Sequence, residues 1–143
     1  MPSLRALSVL TAVVLAWGAT TSAHGGSAAP ARTAAGDFAA ADWGTSSIGA
    51  IDEHVFDLAL DAASCAVRSG DATNPATLTV IDYSKPSTAK RLWVFDLHSR
   101  ELLHEELVAH GQGSGDVIPT RFSNEPDTHS SSLGLFEIGR AHV

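Results

Sequence analysis

LTVIDYSKPST (78–88), KRLWVFDL (90–97) and ELLHEELVAHG (101–111) decide the fold of this chain. Three apolar runs separated by turn residues predict three consecutive strands, Leu78–Tyr83, Arg91–Asp96 and Glu101–His110, in a β-meander. Pro86 lacks the N–H a ladder needs, so Ser84–Ser87 reads as the turn that ends the first strand. In the first two strands both alternating faces are apolar: Leu78 and Val80 against Ile81 and Tyr83, then Leu92 and Val94 against Trp93 and Phe95. A strand that is apolar on both sides is buried on both sides, so the sheet predicts a covering layer on each face.

Working outward, Ile51–Ser69 changes period. Val55, Leu58, Ala59, Ala62, Cys65 and Ala66 recur at spacings of three and four, which predicts one face of an amphipathic helix. Asp52 and Glu53 in the first turn, Arg68 in the last and Gly70 beyond it suit the helix dipole and a C-cap. Cys65 falls in that stripe and reads as a small buried hydrophobe. Residues 24–50 are dominated by Ala, Gly, Ser and Thr and read as a flexible linker.

The N-terminus carries Arg5, an apolar run from Ala6 to Trp17, and small polar residues ending Thr21-Ser22-Ala23. This is the architecture of a secretory signal over residues 1–23, with cleavage after Ala23. The run is shorter than the roughly 20 residues that span a bilayer. Export to the periplasm or cell wall is the expectation, with no membrane attachment after cleavage. Removing Arg5 leaves 8 Lys+Arg against 16 Asp+Glu, a net charge of −8. That balance argues against nucleic acid, which needs clustered basic charge.

The polar motifs weigh little as catalysts. His104-Glu105-Glu106-Leu107-Val108-Ala109-His110 is not H-E-x-x-H, because its histidines stand six apart on an expected strand. At about 3.3 Å per residue they lie roughly 20 Å apart and share no metal. Adjacent Glu105 and Glu106 point to opposite faces. Gly111-Gln112-Gly113-Ser114-Gly115 lacks the lysine and following helix of a phosphate loop and reads as a flexible turn.

The segments 78–88, 90–97 and 101–111, followed by FSNEP (122–126) and SSLGLF (131–136), resemble the murein L,D-transpeptidase catalytic-domain family, YkuD-like cysteine transpeptidases, in that family's order. The resemblance covers about sixty residues, the first half of such a domain. It implies an α+β, mainly β fold, with the N-terminal helix packed on the first strands. It also implies cysteine acyl transfer on peptidoglycan stem peptides, with no metal or organic cofactor. Within it His110 and Ser132 are expected at the edge of the peptide groove. The family's catalytic His and Ser-x-Gly-Cys motif are expected beyond Gly134, and no catalytic residue is assigned in this chain. Glu137–Val143 departs from the family's continuation and back-translates to the start of a sequencing adapter, so residues 137–143 are expected to be an adapter-derived tail on a truncated domain spanning 51–136. The alternative is an exported, non-catalytic β-module that binds cell-wall peptide or a protein partner.

Overall fold

The structure, a computed structural model, describes residues 9–14, 37–44 and 47–138. It is an α+β arrangement of one long helix, α1 (Glu53–Ser69), packed on a five-stranded sheet. The strands are β1 (Val9–Val14), β2 (Thr77–Asp82), β3 (Leu92–Asp96), β4 (Glu101–Glu106) and β5 (Gly134–Ile138), in the spatial order β4-β3-β2-β1-β5. The β2-β3-β4 meander is antiparallel throughout, as its turn residues predict.

Both ends of α1 are written locally. The Asp52 side chain accepts hydrogen bonds from the backbone N–H groups of His54 and Val55, satisfying two of the four donors a helix leaves free. At the other end Gly70 adopts a left-handed φ of 83°, and its N–H bonds the carbonyl of Val67.

The buried face of α1 is Val55, Phe56, Ala59, Leu60, Ala63, Ser64 and Ala66, rotated from the expected stripe. Phe56 and Leu60 are large and take the core-facing side, which turns Leu58 and Cys65 out to solvent. The expectation that Cys65 is buried is therefore corrected. Spacing alone fits both stripes, and side-chain volume selects between them.

Opposite α1, Leu78 and Phe95 pair across the β2–β3 ladder, as do Val80 and Trp93, and all four are buried. Phe95 meets Phe56 at 4.8 Å and Trp43 at 5.5 Å between ring centroids, and Trp43 meets Phe56 edge-on at 5.1 Å. Edge and tilted contacts of this kind set the positive rim of one ring against the negative face of another. The other sheet face is less covered: Ile81, Leu92 and Val94 are half-buried, while Phe136 and Ile138 are exposed. The two-sided burial expected of these strands is complete only beneath α1.

Three further boundaries differ from expectation. The stretch 37–44 and 47–50, assigned to the linker, is packed: a 3-10 turn at Ala40–Asp42 leads Trp43 and Ile48 into the core, and the Phe38 N–H donates to Ser64 Oγ at 2.7 Å. Three anchors, Phe38, Trp43 and Ile48, outweigh the small residues around them. The rest of that linker, 24–36 and 45–46, lies outside the described residues. The third strand stops at Glu106 rather than His110, because its partner β3 ends at Leu92. Val9–Val14, the middle of the expected signal, pairs in parallel with β2 and antiparallel with β5, and Ala12 is 2% exposed in the core. A β-branched apolar run suits a strand as well as a signal. β5 carries the fold through Glu137 and Ile138, and 139–143 lie outside the described residues.

The aromatic triad predicts that Phe56→Ala lowers the free energy of unfolding by about 3–5 kcal/mol, measured by denaturant titration. A loss below about 1 kcal/mol would place Phe56 outside the core.

Candidate functional site

Where β2 ends and β3 begins, the chain builds a polar corner around Arg91. This residue has the same parity as Trp93 and Phe95, so the pleat carries it to the buried side, where it is 0% exposed. A buried guanidinium must be hydrogen-bonded to be tolerated. Nε and Nη2 donate to the Val108 carbonyl at 3.1 and 2.9 Å, and Nη1 donates to the Lys85 carbonyl at 2.9 Å. The remaining Nη2 contact is to His110 Nδ1 at 2.8 Å. The guanidinium lies over the Tyr83 ring, 5.1 Å from its centroid, in a cation–π contact. Burial pulls the Arg91 pKa below its ordinary value, and the nearby Tyr83 and Asp82 push it back up. The group remains a cation, as arginine does in proteins.

That fixes the state of His110. Arginine only donates, so Nδ1 must present its lone pair, and Nε2 carries the proton. Nε2 accordingly donates to the Gly115 carbonyl at 3.3 Å. Both ring nitrogens are committed, and the ring stands edge-on to Tyr83 at 6.5 Å. His110 in this arrangement holds structure and has no nitrogen free to act as a base.

The Gly111–Gly115 stretch, expected as a flexible turn, is instead a close backbone crossing. A Cβ on Gly111 would lie 2.4 Å from the His129 carbonyl oxygen, and one on Gly113 would lie 2.4 Å from that of Thr128. The crossing is laced by hydrogen bonds. Gly111 N–H donates to Ser131 Oγ at 2.9 Å, Gly113 N–H to the His129 carbonyl at 2.8 Å, and Ser131 N–H to Ser114 Oγ at 2.8 Å. The Ser114 carbonyl accepts from Thr120 and Arg121 N–H, and Ser114 is fully buried. His129 itself sits at a left-handed φ of 54°, a conformation that costs a non-glycine residue of order 1 kcal/mol.

His110 and Ser132, the two expected groove-edge residues, sit in the same corner but are not brought into contact by any hydrogen bond. The Ser132 hydroxyl donates to the Ser123 carbonyl at 3.1 Å. Its neighbour Ser131 makes the link to the glycine stretch. Arg91, Ser114 and Ser131 were not legible as site residues from motif spacing. For Arg91 the signal was its parity with Trp93 and Phe95.

Cys65 lines a shallow hollow with Ala62, Ala66, Ser69, Asp71 and Leu135, and among the described residues no histidine borders it. A hollow of about 330 Å³ lies between the 3-10 turn and α1, lined by Trp43, Ile48, Glu53, Phe56 and Asp57 among others, and includes no residue of the Arg91 corner. Among the described residues no cluster of three or more His, Cys, Asp or Glu is placed to hold a metal.

Nitrogen-15 NMR of the imidazoles reads the tautomer directly. His110 should show the Nε2–H form in the native protein, and Arg91→Gln should release it to a tautomer mixture; a native Nδ1–H form would contradict the Arg91 contact.

A search of curated proteins and a search of solved structures find no match. The family model for the L,D-transpeptidase catalytic domain matches residues 48–143, which takes in α1, the meander and the whole polar corner. The helix, the β2–β4 meander, β5 and the glycine-crossed corner thus belong to a recognised unit, and this chain is a member of the L,D-transpeptidase catalytic-domain family.

Proposed function

We propose that the chain is the sheet-and-corner portion of an exported murein L,D-transpeptidase, which remodels the cell wall by cysteine acyl transfer on stem peptides. The family match over 48–143 carries this reading, because it coincides with the helix, meander and corner rather than with an isolated motif. In such a reaction a thiolate adds to the carbonyl of the third stem residue, and the terminal D-alanine leaves as its amine. A second amine then takes the acyl group from sulfur and forms a cross-link. Backbone donors stabilise the oxyanion as it forms.

The described residues would supply shape to that reaction rather than its nucleophile. The corner presents Gly111–Gly115 and 128–132 as a hydrogen-bonded wall. A peptide laid beside such a wall can be held through its backbone, which is the least sequence-dependent way to bind a stem peptide. Cys65 is exposed on α1, and among the described residues no base lines its hollow to activate the thiol. On this reading the nucleophile is the cysteine of the family's Ser-x-Gly-Cys motif rather than Cys65. Export rests on Arg5, the apolar run and the small residues before His24. No helix among the described residues is long and apolar enough to cross a membrane.

Intact-mass spectrometry after carbapenem treatment tests the assignment. The protein encoded by the resequenced gene should gain one adduct on its Ser-x-Gly-Cys cysteine, and Cys65→Ala should leave both the adduct and D-alanine release within a few-fold. An adduct on Cys65, or its loss in Cys65→Ala, would move the nucleophile to α1. A gene that ends without the motif and a protein that binds stem peptide without acyl transfer would support the binding-module reading.

A further inference from the structure

Four arginines lie among the described residues, and three of them are partnered at the charged end. Arg68 pairs with Asp37, Arg100 pairs with Asp42, and Arg91 is buried in the polar corner. Arg121 differs. It is exposed, and among the described residues no carboxylate pairs with it. Its side chain is nevertheless held, because Nε donates to the Gly113 carbonyl at 3.2 Å. Among the described residues no acceptor meets Nη1 or Nη2.

The backbone beneath this side chain is pinned residue by residue. The N–H groups of Thr120 and Arg121 donate to the Ser114 carbonyl at 2.8 and 3.0 Å, and Ser114 is fully buried. Phe122 lies 5.7 Å from Tyr83 between ring centroids, and Ser123 N–H donates to the Ser131 carbonyl at 3.1 Å. Arg121 therefore stands on the glycine crossing with its root fixed by the main chain and its Nε fixed by Gly113. The Nη1 and Nη2 fork is what remains to bind.

A fork of guanidinium N–H groups matches the two oxygens of a carboxylate in one plane. The chain as a whole does not attract anions, since its formal net charge is −7. A local cation of held geometry has to supply that attraction. Exposed ion pairs are weak when both side chains must be ordered to form them. Here one of the two is ordered beforehand, which lowers the cost of association.

We propose that Arg121 binds a free carboxylate of the stem peptide through Nη1 and Nη2, beside the wall formed by Gly111–Gly115 and 128–132. The choice of ligand rests on the transpeptidase reading, whereas the preference for a carboxylate rests on the geometry of Arg121. The contact also sets register. Backbone pairing repeats along an extended peptide, and a charged anchor selects one position from the repeats.

The probe is a stem tetrapeptide in which an ethylene unit replaces the amide between its third and fourth residues, so that it cannot be cleaved. Calorimetric titration of the full-length protein compares the free acid with forms in which each carboxyl is amidated in turn. One amidated form should bind at least about tenfold more weakly than the acid, the loss expected on removing a charged hydrogen bond, and it identifies the carboxylate. Arg121→Gln should bind all forms equally weakly, and Arg121→Lys should recover part of the preference. Nitrogen-15 NMR of the wild-type guanidinium needs no variant: the Arg121 Nη signals should shift with the acid and stay in place with the weakened amide. Equal affinity for all forms in the wild-type protein, a preference that survives in Arg121→Gln, or no binding of any form would overturn the inference. Release of D-alanine from the natural, cleavable tetrapeptide is read separately. Its absence would count against acyl transfer and leave the carboxylate preference standing.

Discussion

A buried cation, Arg91, organises the polar corner of this protein. Arg91 reaches from the start of β3 to three places that are distant in sequence: the turn after β2 at Lys85, the chain leaving β4 at Val108, and His110. Its N–H groups are met by carbonyl oxygens and a ring nitrogen, with the buried Asp82 carboxylate nearby. Such a group is costly to bury and cannot be moved without orphaning several partners at once. Lysine could not replace it, since an ammonium is a point donor and cannot span that fork of acceptors. From His110 the constraint passes to Gly115, and from the glycine stretch to Ser131, Ser114 and the 119–133 segment.

The corner rests on a core of different character. Beneath it, Trp43, Phe56 and Phe95 form one aromatic cluster that joins the 37–50 segment, α1 and β3. The two systems meet at β3, which Arg91 immediately precedes and which carries Trp93 and Phe95. Tyr83 belongs to the corner, with Arg91 over its ring, His110 edge-on and Phe122 at 5.7 Å between ring centroids. The apolar layer fixes where the sheet lies, and the polar corner fixes how the loops leave it.

Much of the fold was legible in the sequence, and the failures have physical causes. The meander was readable because Pro86, Asp96 and Gly111 punctuate apolar runs, and the helix because Asp52 and Gly70 mark its ends. The helix phase was misread, since Leu58, Ala62 and Cys65 recur at helical spacing just as Phe56, Leu60 and Ala63 do. Only the bulk of Phe56 and Leu60 distinguishes the two faces. The 37–44 and 47–50 stretches were misread because composition averages over a window, whereas Phe38, Trp43 and Ile48 anchor them one by one. The glycine stretch looked flexible for a related reason: glycine permits both mobility and close approach, and the approaching carbonyls of Thr128 and His129 come from residues far along the chain. The placement of Val9–Val14 turned on non-local pairing, which no local pattern reveals.

The central claim is that Arg91 holds the corner together from one point. Backbone hydrogen exchange in Arg91→Lys tests it most directly. Losing charge-assisted hydrogen bonds should raise exchange at the Gly111, Gly113 and Ser131 amides by at least about tenfold, while amides in α1 and β2 keep their protection. Unchanged protection at those three amides, or an equal loss throughout α1 and the sheet, would contradict the account.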